Sequence, residues 1–179
     1  MIDTAPRRFE RRLLWVMPII GLTTQLIHEG AHWITGRALG YPVIFGLNAV
    51  TSPTPMTVPD HILMSLSGPL VTIAGAVGAF LWLLRRPSLA AYGVLFFALF
   101  MRLVAVGLSI FLLNDEARSS QLLGIGTWTL PALVVGALAF MTVIGSRRLG
   151  VGWRINVGLY LICSVIVSAI VGADMMLRS

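Results

Sequence analysis

Five apolar runs, at about 13–37, 61–84, 88–113, 127–146 and 155–177, decide most of what this chain can become. Crossing a hydrocarbon core of about 30 Å takes about 20 helical residues at 1.5 Å each, and every run reaches that length. None alternates apolar and polar residues over the length of a barrel strand, so the spans are expected to be helical. Composition agrees: 57% of the residues are hydrophobic and 11% charged, against about a quarter charged in a soluble domain. The expected class is an all-α, polytopic membrane protein, with residues 1–179 forming a single integral membrane domain. The first run lacks a small-x-small exit and continues into polar residues, so it reads as a span rather than a cleaved signal. Cys163 is the single cysteine, which excludes an internal disulfide.

All 13 basic residues are arginine, and the formal charge is +6. No basic stripe interleaves with aromatics, so nucleic acid is not an expected partner. The arginines cluster at span ends instead. Arg7, Arg8, Arg11, Arg12, Arg85, Arg86, Arg147, Arg148 and Arg154 fall on one side, while Arg37, Arg118 and Arg178 fall on the other. The positive-inside rule then puts the N-terminus in the cytoplasm and the C-terminus outside. Small size and the lack of an added domain suggest a prokaryotic plasma membrane. His28, Glu29, His32, Asp60, His61, Asp115, Glu116 and Asp174 all lie toward the outer side, where Asp60 and Glu116 can equally be tolerated surface charges.

The first run contains "LIHEGAHWITG", residues 26–36. Ionisable groups within a span are costly and mark function by default. His28 and His32 are four apart and project from nearly one helix face, so two imidazoles can hold one zinc ion, with Glu29 placed to take a proton from water that the ion activates. Gly30 and Ala31 leave room beside them. Thr24 and Gln25, one turn earlier, are candidates for hydrogen bonds to the ring nitrogens that face away from the metal.

With a Ser67-Gly68-Pro69 turn in the second run, this pattern resembles the site-2 protease family of intramembrane zinc metalloproteases, over roughly residues 13–146. The resemblance implies a Zn²⁺-dependent endopeptidase that cuts transmembrane or membrane-proximal peptides within the lipid bilayer. It implies Glu29 as the catalytic residue, His28 and His32 as ligands, and a third ligand at Asp115 in "LLNDEARSS". It also implies a hairpin or re-entrant element beside the catalytic helix. Two positions depart from the family pattern: Thr72 stands where an asparagine is usual, and Glu116 follows the aspartate where glycine is common.

Counting up from the arginine-rich boundary at 1.5 Å per residue places His28 at ~24 Å, His32 at ~30 Å and Gly68 at ~25 Å. Gly68 and Pro69 therefore come level with the histidines, either as part of the site or as an ordinary packing kink. Asp115 counts to ~43 Å along a continuous third span, so it reaches the metal only if that span ends early and the chain dips back. Gly107 and Ser109 permit such a break, and Asn114 suits a cap for a short helix starting at Asp115. Asp174 counts to ~30 Å on a straight fifth span and is the alternative third ligand. His61 is a more remote candidate. Arg102, at ~24 Å in the third span, can pair with a site carboxylate, stabilise an oxyanion or snorkel outward.

The outer segment 38–60 carries β-branched and aromatic residues broken by Gly46 and followed by Pro53, Pro55 and Pro59, which suits a short hairpin or re-entrant loop. Its exposed edge can pair with an unwound substrate. Two further classes compete with the protease. One is a catalytically inactive, family-like membrane protein that binds metal or a partner; the other is a small transporter that uses the intramembrane charges as an ion path.

Overall fold

The computed structural model describes residues 12–178; Arg7, Arg8 and Arg11 of the orientation argument lie outside them. Six helices follow one another: α1 (Arg12–Ala38), α2 (Val58–Arg85), α3 (Leu89–Leu108), α4 (Asp115–Leu122), α5 (Thr129–Leu149) and α6 (Trp153–Arg178). Four of these, α2, α3, α5 and α6, are long and apolar enough to cross a membrane. The 27-residue α1 has spanning length too, and carries Gln25, His28, Glu29 and His32 on its buried face. Five spans are thus compatible with the fold.

The helix ends follow local chemistry. Thr57 caps α2 by accepting the Asp60 amide, and Pro59 sits in its first turn, where a missing N–H costs nothing. Asp60 also accepts hydrogen bonds from the Tyr41 and Thr57 hydroxyls, at 2.7 Å each, so it is part of a cap rather than a free surface charge. Ser88 caps α3, and Gly150 closes α5 in the left-handed conformation at φ 63°.

The third span ends at Leu108, five residues before the end of its apolar run. Ile110, Phe111 and Leu112 continue that run but form a turn, and these residues are 69%, 89% and 75% exposed. The Ser109 hydroxyl donates to the Ala105 carbonyl and accepts the Asn114 amide, while the Asn114 side chain also donates to Ala105. Asn114 does occupy the N-cap position of α4, yet its side chain caps nothing there. Its amide is spent on the end of α3.

Apolar and polar interiors separate along the bundle. Leu13 and Met17 of α1, Leu83 of α2, Tyr92 and Phe97 of α3, Leu149 of α5, and Leu159 and Cys163 of α6 form one core at the arginine-rich end. Toward the opposite end the buried face turns polar, with Gln25, His28, Glu29 and His32 on α1, Ser65 on α2, Arg102 on α3 and Glu116 on α4. Segment 38–57 covers that end. It folds into the expected hairpin in its smallest form, one antiparallel bridge in which Ile44 and Thr51 exchange both backbone hydrogen bonds.

Candidate metal centre

His28 and His32 lie one turn apart on the buried stripe of α1. Their Nε2 atoms are 3.2 Å apart, and each is 3.3 Å from the same oxygen of Asp115, Oδ2. Donor atoms bonded at about 2.0–2.1 Å in a tetrahedron stand about 3.3–3.4 Å from one another. The observed triangle matches that spacing on all three edges, so these three side chains could hold one metal ion.

A backbone hydrogen bond fixes the orientation of one of the rings. Met64 of α2 offers its carbonyl to His32 Nδ1 at 2.6 Å, so the proton sits on Nδ1 and the Nε2 lone pair faces the triangle. A bare imidazole nitrogen and a carboxylate oxygen at 3.3 Å repel unless positive charge lies between them, which either a proton or a metal ion supplies.

Asp115 arrives because α3 stops early. The turn reverses the chain, and Asp115 opens α4 at a helix N-terminus, where a carboxylate is favoured. The adjacent Glu116 points elsewhere, to Arg102 of α3 at 2.7 Å; the two side chains are 6% and 5% exposed. Arg102 thus neither snorkels outward nor stands free toward the triangle. Glu116, which the sequence left among tolerated outer charges, is instead a buried ion-pair partner. The available signal was an acidic residue beside a candidate ligand with an arginine level with it in the neighbouring span.

Gly68 lies against both imidazoles. A methyl group there would come within 2.7 Å of His28 Cε1 and closer still to His32 Nε2, so only glycine lets α2 approach this near. Pro69 is buried beside it, and the Thr72 hydroxyl donates to the carbonyls of Gly68 and Pro69. Thr72 therefore ties its hydroxyl to the backbone of the turn that lies against the rings. Gln25 departs from expectation: its amide donates to Glu29 Oε1 at 3.0 Å rather than to an imidazole. His28 Nδ1 has no partner among the described residues.

Asp174 is committed elsewhere. Its Oδ1 accepts the Leu47 amide at 2.7 Å and its Oδ2 pairs with Arg178 Nε at 2.8 Å, fixing the end of α6 to the hairpin. It is not a member of the triangle. His61 lines the same cavity as the histidines without joining them. That cavity holds about 800 Å³ and is bounded by Gln25, Glu29, the three candidate ligands, Phe111 and Leu112 of the turn, and the hairpin limb 48–52.

Comparison with models of known families, with curated proteins and with solved structures finds no match for this chain.

Proposed function

We propose that this chain is an intramembrane zinc metalloprotease that hydrolyses peptide bonds of membrane-embedded or membrane-proximal substrates. The observation that carries the reading is the closure of His28, His32 and Asp115 into a triangle of ligand spacing, with Glu29 on the same cavity wall. His28, His32 and Asp115 would hold the zinc ion, which would supply polarisation of the scissile carbonyl and of the attacking water. Glu29 removes the proton from that water and returns it to the leaving amine; Gln25 fixes one carboxylate oxygen and leaves the other for this exchange.

The hairpin supports the choice of an extended peptide. Thr51 uses both backbone groups on Ile44, so by strand alternation those of Val50 and Ser52 point away from that partner, on a limb that borders the cavity. A substrate unwound from its helix can add to that edge. The arginine-rich end lies in the cytoplasm on this reading, and the cavity opens toward the outer side.

The test is cleavage of a transmembrane peptide by purified protein in nanodiscs, with chelation and zinc restoration. Glu29→Gln is expected to keep the metal and lower turnover by about 10²- to 10⁴-fold. Zinc bound without turnover across a broad peptide panel would instead support the inactive, partner-binding class. A chain that binds no metal would leave the transporter reading.

A further inference from the structure

The buried ion pair between Arg102 and Glu116 has no place in the chemistry just described. It is costly where it stands, since both groups are withdrawn from water. Replacing such a pair by apolar side chains of similar size is often neutral or stabilising for a fold, so stability alone does not account for it.

Its position does. Asp115 and Glu116 are consecutive on α4, about 100° apart around the helix axis. The body of α4 packs on α2 and α5, whereas the triangle requires Asp115 to face α1. The residues leading into α4, 109–114, are a turn, so no helix upstream sets the rotation of its first residues. Side-chain ties of two kinds join this stretch and the first turn of α4 to α3: Ser109 and Asn114 to the Ala105 carbonyl, and Glu116 to Arg102 NH1. The first closes the end of α3. The second, with Glu116 anchored on one side, turns Asp115 to the other.

We infer that Arg102 and Glu116 are positioning residues for the metal centre: their ion pair sets the rotation of α4 that presents Asp115 to His28 and His32. This rests on the metal site proposed above. It also gives the acidic residue after Asp115, where the resembled family commonly has glycine, a task of its own.

The test compares metal binding in the full-length protein and in Arg102→Met/Glu116→Met. Zinc affinity is read by competition with a chromophoric chelator, and ligand geometry from the visible spectrum of the cobalt(II)-loaded protein. Thermal unfolding without metal serves as the fold control. The double variant is expected to unfold close to the wild-type temperature yet bind zinc about 10- to 100-fold more weakly, the usual size of an outer-sphere loss. Its cobalt spectrum is expected to shift. Arg102→Lys, which keeps the charge, is expected to recover most of the affinity. Should the apolar pair fail to fold, Arg102→Gln/Glu116→Gln is read in the same way. Wild-type affinity and an unchanged spectrum in a folded, neutralised variant would overturn this inference and leave the metal site standing. A wild-type chain that takes up neither zinc nor cobalt would overturn both.

Discussion

Two carboxylates reach the outer half of this bundle by opposite routes. α6 runs 26 residues without a break and delivers Asp174 near its end, where the side chain meets a backbone amide and an arginine. α3 stops after 20 residues, turns back through 109–114, and delivers Asp115 at the start of α4 against two imidazoles. Both aspartates are engaged twice, yet only one meets groups that bind metals. Height along a span therefore says little about which acid is a ligand. What decides is whether the chain presents donors alongside it or cations and amides.

The largest effect expected from this contrast is in metal content. Asp115→Ala is expected to lower zinc affinity more than about 100-fold, beyond the usual loss for a residue that only supports a ligand, while Asp174→Ala keeps about one ion per chain. Elemental analysis of both variants after gel filtration settles the matter; metal lost from Asp174→Ala and retained by Asp115→Ala would reverse the assignment. Next in size is Gly68→Ala, which pushes a methyl group into the imidazoles. It is expected to weaken zinc about 10-fold or more and to leave helix content unchanged by circular dichroism. An unaltered affinity would mean that α2 does not press on the rings.

The smallest effect belongs to the other carboxylate. Arg178 is 39% exposed on its side chain, so solvent screens its pairing with Asp174. Arg178→Ala is expected to cost about 1 kcal/mol or less in global stability, and to raise amide exchange at Leu47 and Thr51 while metal binding stays within error. Unchanged exchange there would show that the hairpin does not depend on α6.

The helices were legible in the sequence because lipid-spanning length and arginine placement are coarse signals carried by many residues. The observed α1, α2, α5 and α6 begin and end within a few residues of the apolar runs. The end of α3 was not legible from hydropathy, because Ile110, Phe111 and Leu112 are as apolar in a turn as in a helix. Two polar side chains, Ser109 and Asn114, end the helix through bonds to Ala105. That His28 and His32 share one buried helix face was readable from spacing alone. Asp115 was readable only as one of three candidates, with Asp174 and the more remote His61, since counting along a straight helix favoured Asp174. Gln25 bonds Glu29 rather than a ring, and Asn114 stands at the expected cap position with its amide turned to Ala105, for a shared reason: a side-chain amide bonds to whatever acceptor the tertiary structure leaves open. The Met64 carbonyl on His32 had no side-chain signal at all.

The fastening of α6 to the hairpin has a practical side. The Leu47 amide and the Ala49 carbonyl are both gripped by the final turn of α6, through Asp174 and Arg178, and Gly46 lacks a side chain where the guanidinium lies. The final turn of α6 is thus buttoned to the segment that covers the cavity. An affinity tag joined close behind α6 tugs on that cover, so a spacer, or a tag ahead of α1, is the sounder choice for any metal-binding assay.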